Sequence, residues 1–537
     1  MARSGLDAGL RWKEQVASRT KSATQCALQV QRFADLRPAQ KRQLVVASVL
    51  PRIDYAAAAW FHPGKDKASG WKCSSLNGPL RIAARGIIGA FSTVSLDAVS
   101  VETNLMLTNL RLELRIYNSI AAIATLPTSH PIRQTFDKAG GASRNSLPWE
   151  GVLGWANTHW FSQGRPIEEI KPMPVPPWWQ CPLETEIAPS REAAATSVHL
   201  AEATTINIFS DGSGMNGKIG AAATQLQGGS RQATLGTDAE FTVFSGELVG
   251  LSLAVDLLHE PGVLLPLVKT KATIWTDNQA SIRSINLPQR QSAQSMILKV
   301  LKKAEKLRQD YPQLDLRLAW TPGHYGVAGN EEADTLAKMA LDGTIDPTRP
   351  RLLAAMKADF RQQITKRWTT QWRQSTHGRF TRWIDESLPG RHTRGIYGRL
   401  TRARSALLAQ LRTGHSFLQD YQLRVRRQGD GGCACGEAKE TVGHVLLACK
   451  LYTSLRRVLR SKIGGQASGS IKRMLGAPSW RFIRRNGKMQ KVRNSPDVET
   501  VAAVLGFAEQ TGRFTLRRSH GGDGGGGGDE GEEDGDE

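Results

Sequence analysis

Cysteine is scarce, with six in 537 residues. So few, and so scattered, they exclude a disulfide-built scaffold and point to an intracellular, reducing compartment. Long apolar runs are also missing. No window approaches the roughly 18 uncharged apolar residues that a spanning helix needs, so no membrane partner is expected. The opening MARSGLDAGLRWKEQ has none of the apolar run that heads a secretory signal. There is no internal repeat. Acid is short relative to base: Asp plus Glu is 49 against 71 Lys plus Arg, a formal charge of +22. The pI near 10.0 points to polyanionic partners, nucleic acid first. What remains is ample for folding. Apolar content of 40% supports several packed cores. At roughly 150 residues per domain the chain suggests about three or four units.

The charge is unevenly distributed. Residues 1–202 carry 23 basic and 16 acidic residues, net +7, and residues 203–342 carry 13 and 14, net −1. Residues 343–520 carry 35 basic and 11 acidic residues, net +24, whereas 521–537 carry 8 acids and no base. Composition divides the chain in the same places. Residues 1–125 read as mainly helical, with runs such as QLVVASVL and RLELRIYNSIAAIATL. Residues 126–202, rich in Pro and Trp (PMPVPPWWQCP), read as a linker or an irregular packing segment. Residues 203–342 alternate strand and helix patterns. Residues 343–430 read as a basic helical segment, 431–460 as a Cys/His segment and 461–520 as a basic C-terminal stretch. The Gly/Asp/Glu tail, 521–537, has the composition of a disordered segment.

Within 203–342, TINIFSDGS reads as a strand ending on Asp211, with a Gly-rich turn after it and then two further strands, GKIGAAATQL and RQATLGT. Ser245 is a candidate N-cap for a helix with a buried stripe at Leu248, Leu251, Val255 and Leu258, which places Glu247 in the first turn. ATIWTDNQA is a strand ending on Asp277, and Asn278, Gln279 and Ala280 begin a helix. LDLRLAW alternates as a strand and leads through TPGHYGVAGN to a last helix, with Asn330 as its cap and Asp334 one turn in. Four carboxylates thus stand at strand ends and helix starts: Asp211, Glu247, Asp277 and Asp334. Crowded carboxylates repel one another unless a cation neutralises them. All-oxygen donors favour Mg²⁺ or Mn²⁺. Two such ions a few ångströms apart suit phosphodiester hydrolysis. His324, on the Gly-flanked loop, can shuttle a proton beside them. Lys299, Lys302, Lys303, Lys306 and Arg308 of SMILKVLKKAEKLRQ read either as an ordinary solvated helix face or as cations that track phosphates.

SDGS, SGELVGL, TDNQA and TPGHYGVAGNEEAD resemble, in order and context, the four signature blocks of the type 1 ribonuclease H family. The resemblance covers about 140 residues. It implies an α/β ribonuclease H-like domain, a five-stranded mixed sheet with flanking helices, between mainly helical N- and C-terminal flanks. It also implies endonucleolytic cleavage of the RNA strand of RNA–DNA hybrids with two Mg²⁺ or Mn²⁺ ions. Carried over, Asp211, Glu247, Asp277 and Asp334 become metal ligands and His324 the assisting general acid/base. Ser213, Asn278 and Gln279 become substrate contacts.

In the basic segment, Cys433, Cys435, His444 and Cys449 offer three thiolates and an imidazole, a donor set for tetrahedral Zn²⁺. Cys26, Cys73 and Cys181 read as plain core or surface thiols. The run QLRTGH through this Cys/His segment resembles the stretch downstream of ribonuclease H in non-LTR retrotransposon polyproteins. LPRIDYAAAAWF and the helical run after it resemble the C-terminal end of a retrotransposon reverse transcriptase. No aromatic-x-Asp-Asp polymerase block is present, and Asp54 in IDY reads as structural. The chain therefore reads as the C-terminal part of such a polyprotein, with the nucleus implied by that resemblance alone. Two readings compete. One is a hybrid-cleaving hydrolase. The other is a catalytically silent retroelement relic that binds nucleic acid through its basic C-terminal segment. A third, an integrase or proofreading exonuclease, shares the metal logic but lacks this order of acids and the Gly-His-x-Gly loop.

Overall fold

The computed structural model describes residues 12–63, 66–141, 151–161, 164–202, 205–226, 228–264, 270–427, 429–485, 488–494 and 497–514. The acidic tail, 521–537, lies outside the described residues. No helix among the described residues is long and apolar enough to cross a membrane. The chain divides into two compact units. One comprises Met1–Ile53, Ser75–Leu107 and Thr369–Glu537, and the other Asp54–Ser74 and Thr108–Trp368.

The second unit is built on a six-stranded mixed sheet in the order β1-β6-β5-β2-β3-β4. Its strands are β1 (Glu184–Glu186), β2 (Ile206–Met215), β3 (Lys218–Gln225), β4 (Ser230–Thr237), β5 (Thr270–Thr276) and β6 (Leu314–Trp320). β2–β3–β4 form an antiparallel meander, and β5, β6 and β1 add in parallel. The sixth strand corrects the expected five. β1 is only three residues, and it falls in the Pro/Trp-rich stretch read as a linker. Its parallel pairing with β6 (Glu184↔Arg317 to Glu186↔Ala319) is a long-range contact that local pattern cannot reveal.

Four helices complete the block: α1 (Val243–Leu258), α2 (Gln279–Asn286), α3 (Gln294–Asp310) and α4 (Ala328–Met339). Alternation along each strand sends neighbours to opposite faces. Ile208, Ile274 and Leu318 enter a core with Leu248, Leu251 and Val255 of α1 and Ile297 and Val300 of α3. Phe209, Trp275 and Ala319 enter a smaller cluster with Ala333 of α4. The sheet is thus covered on both faces, as its largely apolar central strands require. Asp54 is structural in this unit, its buried carboxylate accepting from Arg111 Nε at 2.9 Å.

The first unit is mainly helical, with one hairpin at Trp480–Arg485 and Lys488–Arg493. Its centre holds a wholly buried cation. Arg412 pairs with Glu102 at 2.8 Å and Asp385 at 3.0 Å, and Tyr397 donates to Glu102 at 2.9 Å. A buried guanidinium is tolerable only with such partners.

Candidate active site and metal centres

Strand register builds the acid cluster. The parallel ladder between β2 and β5 ends at Ser210↔Thr276. Asp211 and Asp277 are the next residue on each chain, so they stand side by side. Asp277 leaves the strand there, as expected. Asp211 does not: β2 runs on through Met215, because β3 continues to pair with it (Asp211↔Ala222 to Met215↔Lys218). Asp211 is therefore mid-strand rather than at a strand end.

Glu247 arrives by close backbone approach. A Cβ on Gly212 would lie 2.2 Å from the Glu247 nitrogen, and one on Gly246 would lie 2.8 Å from the Gly220 oxygen. The two glycines let α1 rest directly on β2 and β3. The helix starts earlier than expected. Thr242 is its N-cap, in a reciprocal capping box with Ser245 at the third position (3.2 and 3.0 Å). Ser245 is therefore not the cap, and Glu247 falls in the second turn. One oxygen each from Asp211, Glu247 and Asp277 lie within 4.8 Å of one another.

Asp334 is outside that group of three. It sits on α4, an ordinary ion-pair partner of Lys338 one turn on. Its charge nonetheless reaches Asp211 and Asp277. His324 is exposed, with φ +54, in the loop after β6, and its charge also reaches Asp277. Gly323 is required beside it, since a Cβ there would meet Asp277 Oδ2 at 2.5 Å.

The electrostatics are those of uncompensated acids. Burial, then the charges of Asp277 and Asp334, push the Asp211 carboxyl up to about 7. Burial and the charges of Asp211 and Asp277 push Glu247 well above the usual range. Asp277 is raised chiefly by burial. Glu247 Oε2 is buried with no hydrogen-bond partner. An all-oxygen donor set with an orphaned carboxylate oxygen fits a hard divalent cation.

The remaining expected residues have mixed placements. Asn278 caps α2, its Oδ1 accepting from Ser281 N at 3.0 Å, and its side chain also favours the charged form of Glu247. Ser213 is two residues beyond Asp211, on the same face of β2. Gln279 Oε1 accepts from Arg283 on its own helix at 2.8 Å. On α3, Lys303 pairs with Asp256 (2.6 Å), Lys306 with Asp310 (3.4 Å), and Arg308 donates to Pro182 O (3.0 Å). Three of the five expected phosphate-tracking cations are thus engaged within the unit.

Asn330 is the residue that sequence reasoning misplaced. Val327 is the N-cap of α4, so Asn330 lies inside the helix. It is buried, its side chain favours the charged form of Asp277, and its Oδ1 has no partner. A buried Asn three residues into a helix is a poor cap and a good carboxylate anchor. The signal was the small residue before it. A Cβ on Gly329 would strike the Phe209 ring at 2.2 Å, which fixes how deeply this turn is seated.

In the first unit the Cys/His residues do converge. Cys433 Sγ is 3.6 Å from Cys449 Sγ, and Cys435 Sγ is 3.2 Å from His444 Nε2. All four ligand atoms lie within 4.8 Å of one another. The edges are close to the roughly 3.8 Å expected of a tetrahedron with arms of about 2.3 Å. The Glu437 backbone N–H favours the Cys435 thiolate, pulling that thiol down to about 7. Gly436, at φ +76, makes the tight turn that brings Cys435 round. His444 comes from the helix Val442–Leu447, capped by Thr441. The donor set suits Zn²⁺.

A mixed sheet covered on both faces, with clustered acids where β2 and β5 part, defines a ribonuclease H-type domain. Residues 203–342 match the RNase H family model, so the chain carries an RNase H domain over that span. The chain is also 33% identical, over 145 residues, to the retrovirus-related Pol polyprotein from type-1 retrotransposable element R1 of Popillia japonica. That match covers 26% of this chain and 54% of the relative, so the chain spans about half the length of the curated relative it matches. Among solved structures, the N-terminal RNase H domain of Rv2228c from Mycobacterium tuberculosis is 21% identical, covering 26% of this chain and 100% of that chain (TM-score 0.20). RNase H1 from Halobacterium salinarum is 20% identical, covering 26% and 98% (TM-score 0.18).

Proposed function

We propose that the chain hydrolyses the RNA strand of RNA–DNA hybrids, endonucleolytically, at the acid cluster of residues 203–342. The observation that carries this reading is the convergence of Asp211, Glu247 and Asp277 oxygens within 4.8 Å, inside the span that matches the RNase H family. Similarity to a retrotransposon Pol polyprotein supports it.

Asp211 and Asp277 would hold two divalent cations, Mg²⁺ or Mn²⁺, with Glu247 completing one site and Asp334 the other. When bound, the pair supplies charge neutralisation and Lewis acidity at the phosphodiester. Asn278 orients Glu247 and Asn330 orients Asp277, which keeps the carboxylates in register before substrate arrives. Asp334 serves only after leaving Lys338. His324, exposed on its loop, carries a proton to or from the leaving-group side. The net +24 of residues 343–520, with Zn²⁺ at Cys433, Cys435, His444 and Cys449, would grip the nucleic acid.

The test is incubation of the full chain with Mg²⁺ and a hybrid labelled on either strand, with single-stranded RNA and duplex DNA alongside. Selective loss of the hybrid's RNA strand is expected. Uncut hybrid bound in a salt-sensitive way would instead support the second reading, a binding protein without turnover. One observation favours that reading: the Asp334–Lys338 pair, which leaves the fourth acid outside the cluster.

A further inference from the structure

The first unit contains a cavity of about 540 Å³ between the helix Asp66–Ile88 and the turn that leads into the helix Leu96–Thr103. Arg81 and Arg85 line it from one face of the first helix, a turn apart. Ser92 and Ser95 line it from the turn, and the exposed His377 adds an imidazole. The turn is pinned on both sides. Arg85 Nε and Nη2 donate to the Val94 carbonyl at 3.2 and 2.5 Å, and Thr93 Oγ1 lies 3.0 Å from His415 Nδ1. Among the described residues, Arg85 Nη1, the Arg81 guanidinium and the Ser92 hydroxyl have no partner, and neither arginine is paired with a carboxylate. Asp97 is the one acid in the lining, and it accepts from Ser375 Oγ at 2.5 Å. Burial and the charge of Arg81 hold the Arg85 guanidinium below its usual range.

Each feature narrows the occupant. Two arginines one turn apart repel each other, and no carboxylate offsets the repulsion. An anion is the missing partner. Guanidinium forks beside hydroxyl donors match the several oxygens of a phosphate. No Phe, Tyr or Trp lines the cavity, so a base would find no ring to stack on. Ligand cavities run to roughly 300–1,000 Å³, so this one has room for a phosphate together with its flanking sugars. These are the needs of a strand's backbone, held without regard to sequence.

We propose that this cavity seats the phosphodiester backbone of a nucleic-acid strand, one phosphate lying against Arg81 and Arg85 with the hydroxyls of Ser92 and Ser95 as further donors. His377 supplies an N–H at the edge of the same seat. The site rests on the reading that the chain acts on nucleic acid. It adds a backbone contact at residues 81–95, far ahead in sequence of the basic stretch 343–520.

The test follows binding of a fluorescein-labelled thymidine oligonucleotide to the full chain, without Mg²⁺, across a series of salt concentrations. Each phosphate neutralised on a single strand contributes about 0.7 to the slope of log affinity against log salt. Arg81→Gln should therefore flatten the slope by about 0.7 and weaken binding about fivefold. Arg81 is exposed and holds no other side chain, so the variant keeps the fold. Ser92→Glu, also at an exposed position, puts an anion in the cavity and should weaken binding with both arginines intact. Lys13→Gln is the control. Lys13 is exposed at the far end of the helix Lys13–Arg32 from Gln31, whose amide donates to Ile82 O, so the same charge is lost away from the cavity. Its slope should stay at the wild-type value. No oligonucleotide binding, an unmoved slope in Arg81→Gln, an equal change in Lys13→Gln, or undiminished binding by Ser92→Glu would overturn the site. Inorganic phosphate and polyglutamate are titrated as alternative occupants. A loss in Arg81→Gln as large for either of them as for the oligonucleotide would overturn the phosphodiester assignment. Hybrid cleavage with Mg²⁺ is read in parallel. Cleavage by the wild type with an unmoved slope in Arg81→Gln sinks the phosphate seat alone, and a flattened slope without wild-type cleavage sinks the hydrolase reading alone.

Discussion

Asp211 carries the clearest consequence of crowding. Its carboxyl sits at about 7 in the folded chain against 3.8 for an ordinary Asp. Between those values the folded state holds a proton that the unfolded state has lost. Stability of the metal-free protein should therefore fall as pH rises from about 4 to about 7. Glu247 and Asp277, raised in the same direction, add to the trend. Thermal unfolding without divalent ions should show it, and Mg²⁺ or Mn²⁺ should restore more stability at pH 7.5 than at pH 5. Asp211→Asn should flatten the dependence and raise the metal-free midpoint at pH 7.5. A midpoint unmoved by the ions would count against a metal site. Gly323→Ala tests positioning. Its Cβ would press on the end of the Asp277 side chain, which can swing aside, so stability should hold. Cleavage should drop on the order of 100-fold from misplacement alone, measured as initial rates on a hybrid. At this scale the convergence of Asp211, Glu247 and Asp277 was legible, because each lies in a distinctive local motif, whereas Asp334 stands outside that group. Asn330 was not, because a polar residue near a helix start reads as a cap whether or not it is buried.

At the scale of elements, the contact between α1 and β2 decides whether Glu247 reaches Asp211. Gly212→Ala would set a methyl 2.2 Å from backbone nitrogen, with no flexible side chain to give way. A loss of about 1–3 kcal/mol or more is expected in denaturant unfolding, with cleavage falling alongside. The Cys/His segment offers a parallel case. Its turns are short, and chelation or Cys449→Ser should release one equivalent of zinc and loosen residues 431–449, as read by metal analysis and proteolysis. Release of no zinc from the purified chain would contradict that assignment. The strands and helices of 203–342 were legible from periodicity, since alternation and the 3.6-residue repeat are local. Three things were not. The length of β2 depends on β3, the strand β1 exists only through β6, and the caps of α1 and α4 lie a few residues from where composition placed them.

At the scale of the molecule, the scarcity of acid has a location. The unit that carries the acid cluster draws on a near-neutral block, and the excess of base lies C-terminal to it in sequence. The proposed cutting and gripping would thus fall on different stretches of chain, a split of charge that is legible from counting residues alone. The division into two units, each assembled from separated segments, was not legible, because it arises from contacts between distant stretches. The central claim is that Asp211, Glu247 and Asp277 work as a metal-dependent phosphodiester hydrolase. One measurement addresses it most directly: end analysis of the RNA fragments from a hybrid treated with Mg²⁺, for the wild-type chain and for Asp277→Asn. Hydrolysis by water predicts fragments ending in 5′-phosphate and 3′-hydroxyl from the wild type and none from the variant. Cyclic-phosphate ends, or equal cutting by Asp277→Asn, would contradict it.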